Sequence, residues 1–228
     1  MEWNWEKRKW IIPVLVPLVL FVLFNSFYSA PMLRKYIMQE KEGQIKDLAN
    51  LGISIMAHFH SMEEEGQMTR RESQRQAASL IRDIRFGPEG INYYWLNDLQ
   101  PQLIVHPFRP DLERVDLEGS EYQAYRQLLE RFIQLVEQQG EGYIQYQWQY
   151  YGEQDRVEEK ISYIIAFEPW GWIIGTGLYL HEVEQAARSQ RNINVIFVIT
   201  AAQILLAGLV MLKLVRIRQE KRNKNPRT

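Results

Sequence analysis

Two aromatic pairs have the spacing to build a recognition surface. Tyr93 and Trp95 stand two residues apart, as do Tyr146 and Trp148, and residues two apart in a strand share a face. Their rings offer flat apolar walls that end in O–H and N–H donors, equipment for holding a small molecule. Lys160 and Tyr163 are three apart, so a regular strand points them to opposite faces; one ligand does not touch both, and one of the two is structural. Covalent chemistry has less to work with. The chain has no cysteine, which removes thiolate nucleophiles, Cys-based zinc sites and disulfides. His58 and His60 lie two apart in a helical pattern, about 200° from each other around the axis, and cannot grip one metal ion. No Gly-x-Ser-x-Gly elbow, His-Glu-x-x-His helix or phosphate-cradling glycine loop occurs, and the carboxylates are scattered. Neither an enzyme, a metal site nor a bound cofactor is expected.

The elements that must position these residues are legible in the periodicity. Apolar residues make up 46% of the chain and charged residues 24%, the balance of a folded protein rather than a disordered one. Tyr36 to Met62 reads as a long helix with Ile45, Leu48, Gly52, Ile55, Phe59 and Met62 at alternating spacings of three and four. That stripe, widened by Ile53 and Met56, serves either its own domain or a dimer seam. A second helix starts at Thr69, with Glu72 as capping-box partner, and stops at Gly87 and Pro88. Five strands are expected at Ile91–Asp98, Leu103–Pro107, Gly142–Gln149, Lys160–Glu168 and Trp172–Tyr179, with Gly152–Glu159 as a polar hairpin loop. Between the second and third strands, Ser120–Gln138 is an amphipathic helix stopped by Gly140. The sum is an α+β domain: a five-stranded sheet covered by helices.

Charge layout adds a membrane to this plan. Trp10 to Leu33 and Asn192 to Leu212 carry no charge, and each run is long enough to cross a hydrocarbon core ~30 Å thick. Outside them stand Lys7, Arg8, Lys9, Lys213, Arg216, Arg218, Lys221, Arg222, Lys224 and Arg227, against Glu2, Glu6 and Glu220. The flanks therefore sum to +7, and a formal net charge of -1 leaves -8 for the middle. The positive-inside rule places both termini in the cytoplasm. The expected layout is a cytoplasmic start over 1–9, a first span over 10–33, an extracytoplasmic domain over 34–190, a second span over 192–212 and a basic cytoplasmic tail over 213–228. A cleaved signal peptide is the alternative for the first run. Pro13 and Pro17 inside it, and no small-x-small cleavage pattern from Asn25 to Met32, favour an uncleaved anchor. The tail contacts lipid headgroups, Gln203, Ala207 and Gly208 would permit helix association in the membrane, and a middle segment of -8 excludes nucleic acid as a partner.

The runs "RFGPEGINYYWLND", "IVHPFRPDLERVDL", "GEGYIQYQW" and "EEKISYIIAFEPWGWIIGTGLYL" resemble the single-Cache sensor domain of bacterial chemoreceptors and sensor kinases. The Tyr-x-Trp-x-Asn-Asp, His-Pro, Lys-x-x-Tyr and Pro-Trp-Gly-Trp elements stand in the family's order. The resemblance implies a PAS-like antiparallel sheet behind a long N-terminal helix, held between two transmembrane helices in the inner membrane. It also implies a small-molecule ligand, often a short organic acid, with no catalysis. By position, the cations Arg85, His106 and Lys160 match the family's elements. With Tyr93, Trp95, Tyr146, Trp148 and Tyr163 they form the expected ligand site. For Lys160, beside Glu158 and Glu159, a solvated strand end is the other reading. For His106, before Pro107, it is a turn-holding hydrogen bond. "EGSEY" replaces the family's usual Asp-Pro-x-Gly-like turn after Leu117. Family members continue past the second span into an output module where this sequence stops at Thr228, so output through a homodimer or a separate signalling protein is expected. The rival reading is an assembly partner whose Cache domain binds no ligand.

Overall fold

Alternating apolar runs close into one antiparallel sheet in the computed structural model, which describes residues 19–21, 23–24, 27–28, 30–87, 90–117 and 119–224. Its strands are β1 (Tyr94–Asp98), β2 (Leu103–Val105), β3 (Glu141–Tyr150), β4 (Glu153–Phe167) and β5 (Trp172–Tyr179), in the spatial order β2-β1-β5-β4-β3. The helices are α1 (Ala30–Glu64), α2 (Arg70–Asp83), α3 (Gln123–Gln139) and α4 (Leu180–Lys224). Two compact units result: residues 38–184 hold the sheet, and the described residues before 38 with those after 184 form the other.

Most elements lie where periodicity puts them. Thr69 caps α2, its Oγ1 accepting the Glu72 N–H at 3.3 Å, and Gly140 ends α3 with φ +78°. The longest correction concerns β4. Glu153 to Glu159 is strand, not loop, pairing Val157 with Gln149, Glu158 with Trp148 and Glu159 with Gln147. The turn is only Tyr151 and Gly152, at φ +40° and +87°. Positive φ at both central residues is what a two-residue hairpin needs to match the strand twist. Polar residues are at home here because much of this hairpin end is open to solvent. β1 begins at Tyr94 rather than Ile91, and Asn92 makes only an isolated bridge to Phe86.

The sheet is covered on both faces. On one, α1 buries Ile45, Ala49, Gly52 and Met56; Ile45, Gly52 and Met56 fall where the stripe is expected, while Leu48 and Ile55 are half-buried beside it. Small residues set that line: a Cβ on Gly52 would collide with the Ile174 side chain. The Tyr94 hydroxyl donates to the Leu48 carbonyl at 2.7 Å. On the other face, α3 lays Leu128, Leu129, Phe132, Ile133 and Val136 over Trp95, Ile144, Tyr146 and Ile164. In the second unit, α4 exposes Ile196, Phe197 and Leu205. Over Leu180–Gln219 it is, among the described residues, the one helix long and apolar enough to cross a membrane. The expected first span over 10–33 lies largely outside the described residues, as do 1–9 and 225–228.

Candidate ligand pocket

The face beneath α3 gathers the chemistry. Tyr146 pairs across β3 and β4 with Lys160, and Lys160 pairs across β4 and β5 with Tyr179, so the three side chains rise together. Trp95 opposes Gly175 on β5. A Cβ there would run into the indole, so glycine lets the Trp95 ring lie flat across the neighbouring strand. Trp95, His106, Tyr146 and Trp148, with Tyr125 and apolar side chains from α3 and the 103–117 segment, line a cavity with free volume of ≈ 20 Å³, about that of one water. The rings pack edge to face: Tyr93 on His106 at 4.9 Å, Phe132 on Tyr146 at 5.2 Å and Tyr125 on Trp148 at 5.7 Å.

Two groups here lack the partners their burial calls for. Trp95 is 3% exposed, and its buried Nε1–H has no hydrogen-bond partner among the described residues. Such a donor costs ~1–3 kcal/mol. Lys160 is 1% exposed, and its Nζ donates to the Tyr93 hydroxyl at 2.9 Å. It lies 4.2 Å from the Tyr93 ring centre, 5.3 Å from that of Trp95 and 5.2 Å from that of Tyr179. No ion pair to Lys160 is present among the described residues. Burial pushes its ammonium down to about 7, with the Glu182 carboxylate pulling weakly the other way. His106 is held well below the ordinary histidine range by burial first, then by the positive charges of Lys160 and Arg109. Its Nδ1 accepts the Phe108 N–H at 3.3 Å, so the proton of the neutral ring sits on Nε2. His106 thus holds the turn and lines the cavity at once.

A family model described as Single Cache domain 2 matches residues 37–192. The chain belongs to the single Cache domain 2 family. Among curated proteins, the Cache chain is 32% identical over 211 residues to the methyl-accepting chemotaxis protein McpP of Pseudomonas putida, covering 91% of this chain and 37% of that protein. It is 25% identical over 206 residues to the sensor histidine kinase MctS of Rhizobium johnstonii, covering 84% and 42%. The chain therefore spans about two fifths of the length of these curated relatives. A solved structure described as the structural basis for carboxylic acid recognition by a Cache chemosensory domain superposes with a TM-score of 0.57 at 30% identity. That match covers 64% of this chain and 97% of that one. A periplasmic sensor domain of a chemotaxis protein gives 0.56 at 29%, covering 62% and 96%.

Within this Cache fold, six of the eight expected site residues come together: Trp95, His106, Tyr146 and Trp148 line the cavity, while Tyr93 and Lys160 do not line it but pack against His106 and Trp95. Two stay apart. Tyr163 lies on the opposite face of β4, as strand parity requires, its ring 4.6 Å from Tyr143 and 5.0 Å from the Lys46 ammonium. Arg85 is exposed; its guanidinium donates to the carbonyls of Arg82 and Ile84 at 2.6 and 2.8 Å, closing the end of α2. Sequence reasoning missed Arg109, whose Nη1 donates to the Tyr125 hydroxyl at 2.5 Å and to Gln149 Oε1 at 3.3 Å while Nη2 holds Asp111 at 2.7 Å. It ties the segment after β2 to α3 and β3. It missed Glu182 as well, which accepts from Tyr151 at 3.0 Å. The Arg-Pro-Asp triplet after His-Pro-Phe was the available signal for the first; the second had none.

Proposed function

We propose that this Cache domain senses a small carboxylate of two to four carbons, bound between Lys160 and the indole N–H of Trp95 with Tyr93, His106, Tyr146 and Trp148 as walls. One observation carries the reading: a buried lysine whose Nζ has, among the described residues, a neutral phenol as its one hydrogen-bond partner. A carboxylate would supply the missing charge, and charge-assisted hydrogen bonds contribute ~1.5–3 kcal/mol each. The relatives support the class, since one solved neighbour is described by its carboxylic acid recognition. In this reading the chain is a two-pass protein of the cytoplasmic membrane with the Cache domain outside. It passes occupancy to a second copy or a signalling protein, as the chemoreceptor and kinase relatives suggest. Neither catalysis nor a cofactor is involved.

The test is thermal unfolding of the full chain in nanodiscs with a panel of carboxylates of two to four carbons. At about 100 times the dissociation constant, the native state gains ~2.7 kcal/mol. The shift is expected in the parent and absent in Lys160→Met and Trp95→Phe. A panel without effect would sink the reading. A second reading, an assembly partner that binds nothing in this pocket, is favoured by the free volume of ≈ 20 Å³. It predicts no shift with any of these acids.

A further inference from the structure

Among the described residues no carboxylate lies within ion-pair distance of Lys160, and the Glu182 carboxylate acts on it only through space. Tyr93 reaches it from β1, His106 stands at the end of β2, Tyr146 rises from β3 and Tyr179 from β5. Tyr151 comes from the hairpin turn and Glu182 from the start of α4. The phenols are neutral at physiological pH, and burial raises Tyr93, Tyr146, Tyr151 and Tyr179 further. His106 is neutral, and the charges that act on it through space, Lys160, Arg109 and the more distant Arg85, are all positive. The one anion in the set, Glu182, has a hydrogen bond from Tyr151 rather than from Lys160. Three aromatic rings attract an ammonium through their quadrupoles but neutralise none of its charge. The free pocket therefore favours the neutral amine.

We propose that Lys160 takes up a proton as the carboxylate enters, so that the Cache domain binds its ligand and a proton together and its affinity falls as pH rises above neutrality. This rests on the carboxylate reading above. The balance is simple: a neutral amine, a solvent proton and a carboxylate become an ion pair, and no covalent bond between heavy atoms changes. The sign follows from linkage. Burial holds the free ammonium down to about 7, and a bound anion raises it. Below neutrality the lysine is already charged and affinity is flat. Above it, each pH unit weakens binding toward tenfold until the bound-state value is passed. The ligand's own carboxylate, ionised throughout above pH ~6, contributes no slope.

The experiment uses the full chain in micelles or nanodiscs, with acetate, propionate and butyrate as probes. Calorimetric titrations at pH 6, 7, 8 and 9, in buffers of different ionisation enthalpy, read both affinity and proton uptake. Lysine side-chain NMR reads the ionisation directly, the Lys160 signal being the one lost in Lys160→Met. The expected result is a free Lys160 titrating near neutrality, moved upward by a probe, with affinity flat from pH 6 to 7 and falling on the order of tenfold per unit beyond. Lys160→Arg, if it binds, should bind without that slope, because guanidinium stays charged. Binding with no pH dependence and no proton uptake, or a free Lys160 that titrates near 10, overturns the coupling and leaves the carboxylate site standing. A Lys160 that titrates near neutrality but is moved by no probe overturns the site and the coupling with it.

Discussion

Stability of the chain should rise with pH above neutrality, where a lysine unshifted by folding contributes no slope. In the unfolded chain Lys160 holds its proton up to the usual 10.5, whereas burial brings the folded group down to about 7. Between those values the unfolded state binds one proton more than the folded state, so stability increases with pH at up to ~1.4 kcal/mol per unit. From pH 7 to 9.5 this amounts to ~3 kcal/mol, and at 1% exposure no solvent discount applies. The window closes near pH 10. Burial raises Tyr93 and Tyr146, and carries Tyr94 to about 12, so the unfolded chain ionises its phenols first and stability then falls. At ~2–4 °C per kcal/mol for a unit of this size, the melting temperature should climb by ~6–12 °C over the window. Lys160→Met should abolish the slope. At pH 7 it removes a charge penalty of ~4 kcal/mol but strands the Tyr93 hydroxyl at a cost of ~1–3 kcal/mol. It should therefore be more stable than the parent by ~1–3 kcal/mol. The assay is thermal and urea unfolding followed by tryptophan fluorescence at half-unit pH steps. A flat curve in the parent, or the same slope in Lys160→Met, would refute the assignment of an unpaired charge to this site.

Gly175→Ala should cost ~1–3 kcal/mol by overpacking, because the new methyl meets the Trp95 ring. It should also lose the carboxylate-induced melting shift; a variant that keeps that shift would show that the flat pose of Trp95 is not needed for binding. A single cysteine at Ser120, in a chain that otherwise has none, should react with a membrane-impermeant maleimide in intact spheroplasts, and one at Asn223 only after lysis. Labelling at position 223 in intact cells would reverse the orientation.

The fold was largely legible because most of its elements obey one simple period. Strand β5 was read to the residue, since all of Trp172–Tyr179 is buried and Gly171, at φ +65°, turns the chain just before it. The helix before the sheet begins six residues ahead of its apolar pattern and ends two after it, and small residues set half of its buried line. Ala49 and Gly52 let the helix come close, and larger Leu48 and Ile55 were pushed aside. The polar half of β4 escaped notice because Glu153–Glu159 has no apolar face to bury. What holds it is the backbone ladder to β3, and only the Tyr151-Gly152 turn hinted at that ladder.

The site was legible in part for a physical reason. Strand parity separates Lys160 from Tyr163, but it does not tell which face meets α3, since both faces of this sheet are covered. Position along the chain also misplaces Arg85: an arginine two residues past a helix end has loose carbonyls within reach and takes them. What no pattern conveys is the unpaired state of Lys160 and of Trp95 Nε1, yet this is where a sensor differs from a core. A ligand can move an equilibrium only by the free energy with which it distinguishes two states. A pocket that satisfied its own ammonium and indole N–H would leave a carboxylate little to gain on entering. By burying a lysine without a counter-ion and a donor without an acceptor, the domain gives up stability, whether as the proton the amine loses or as a charge left unpaired, and a bound anion would recover part of that free energy.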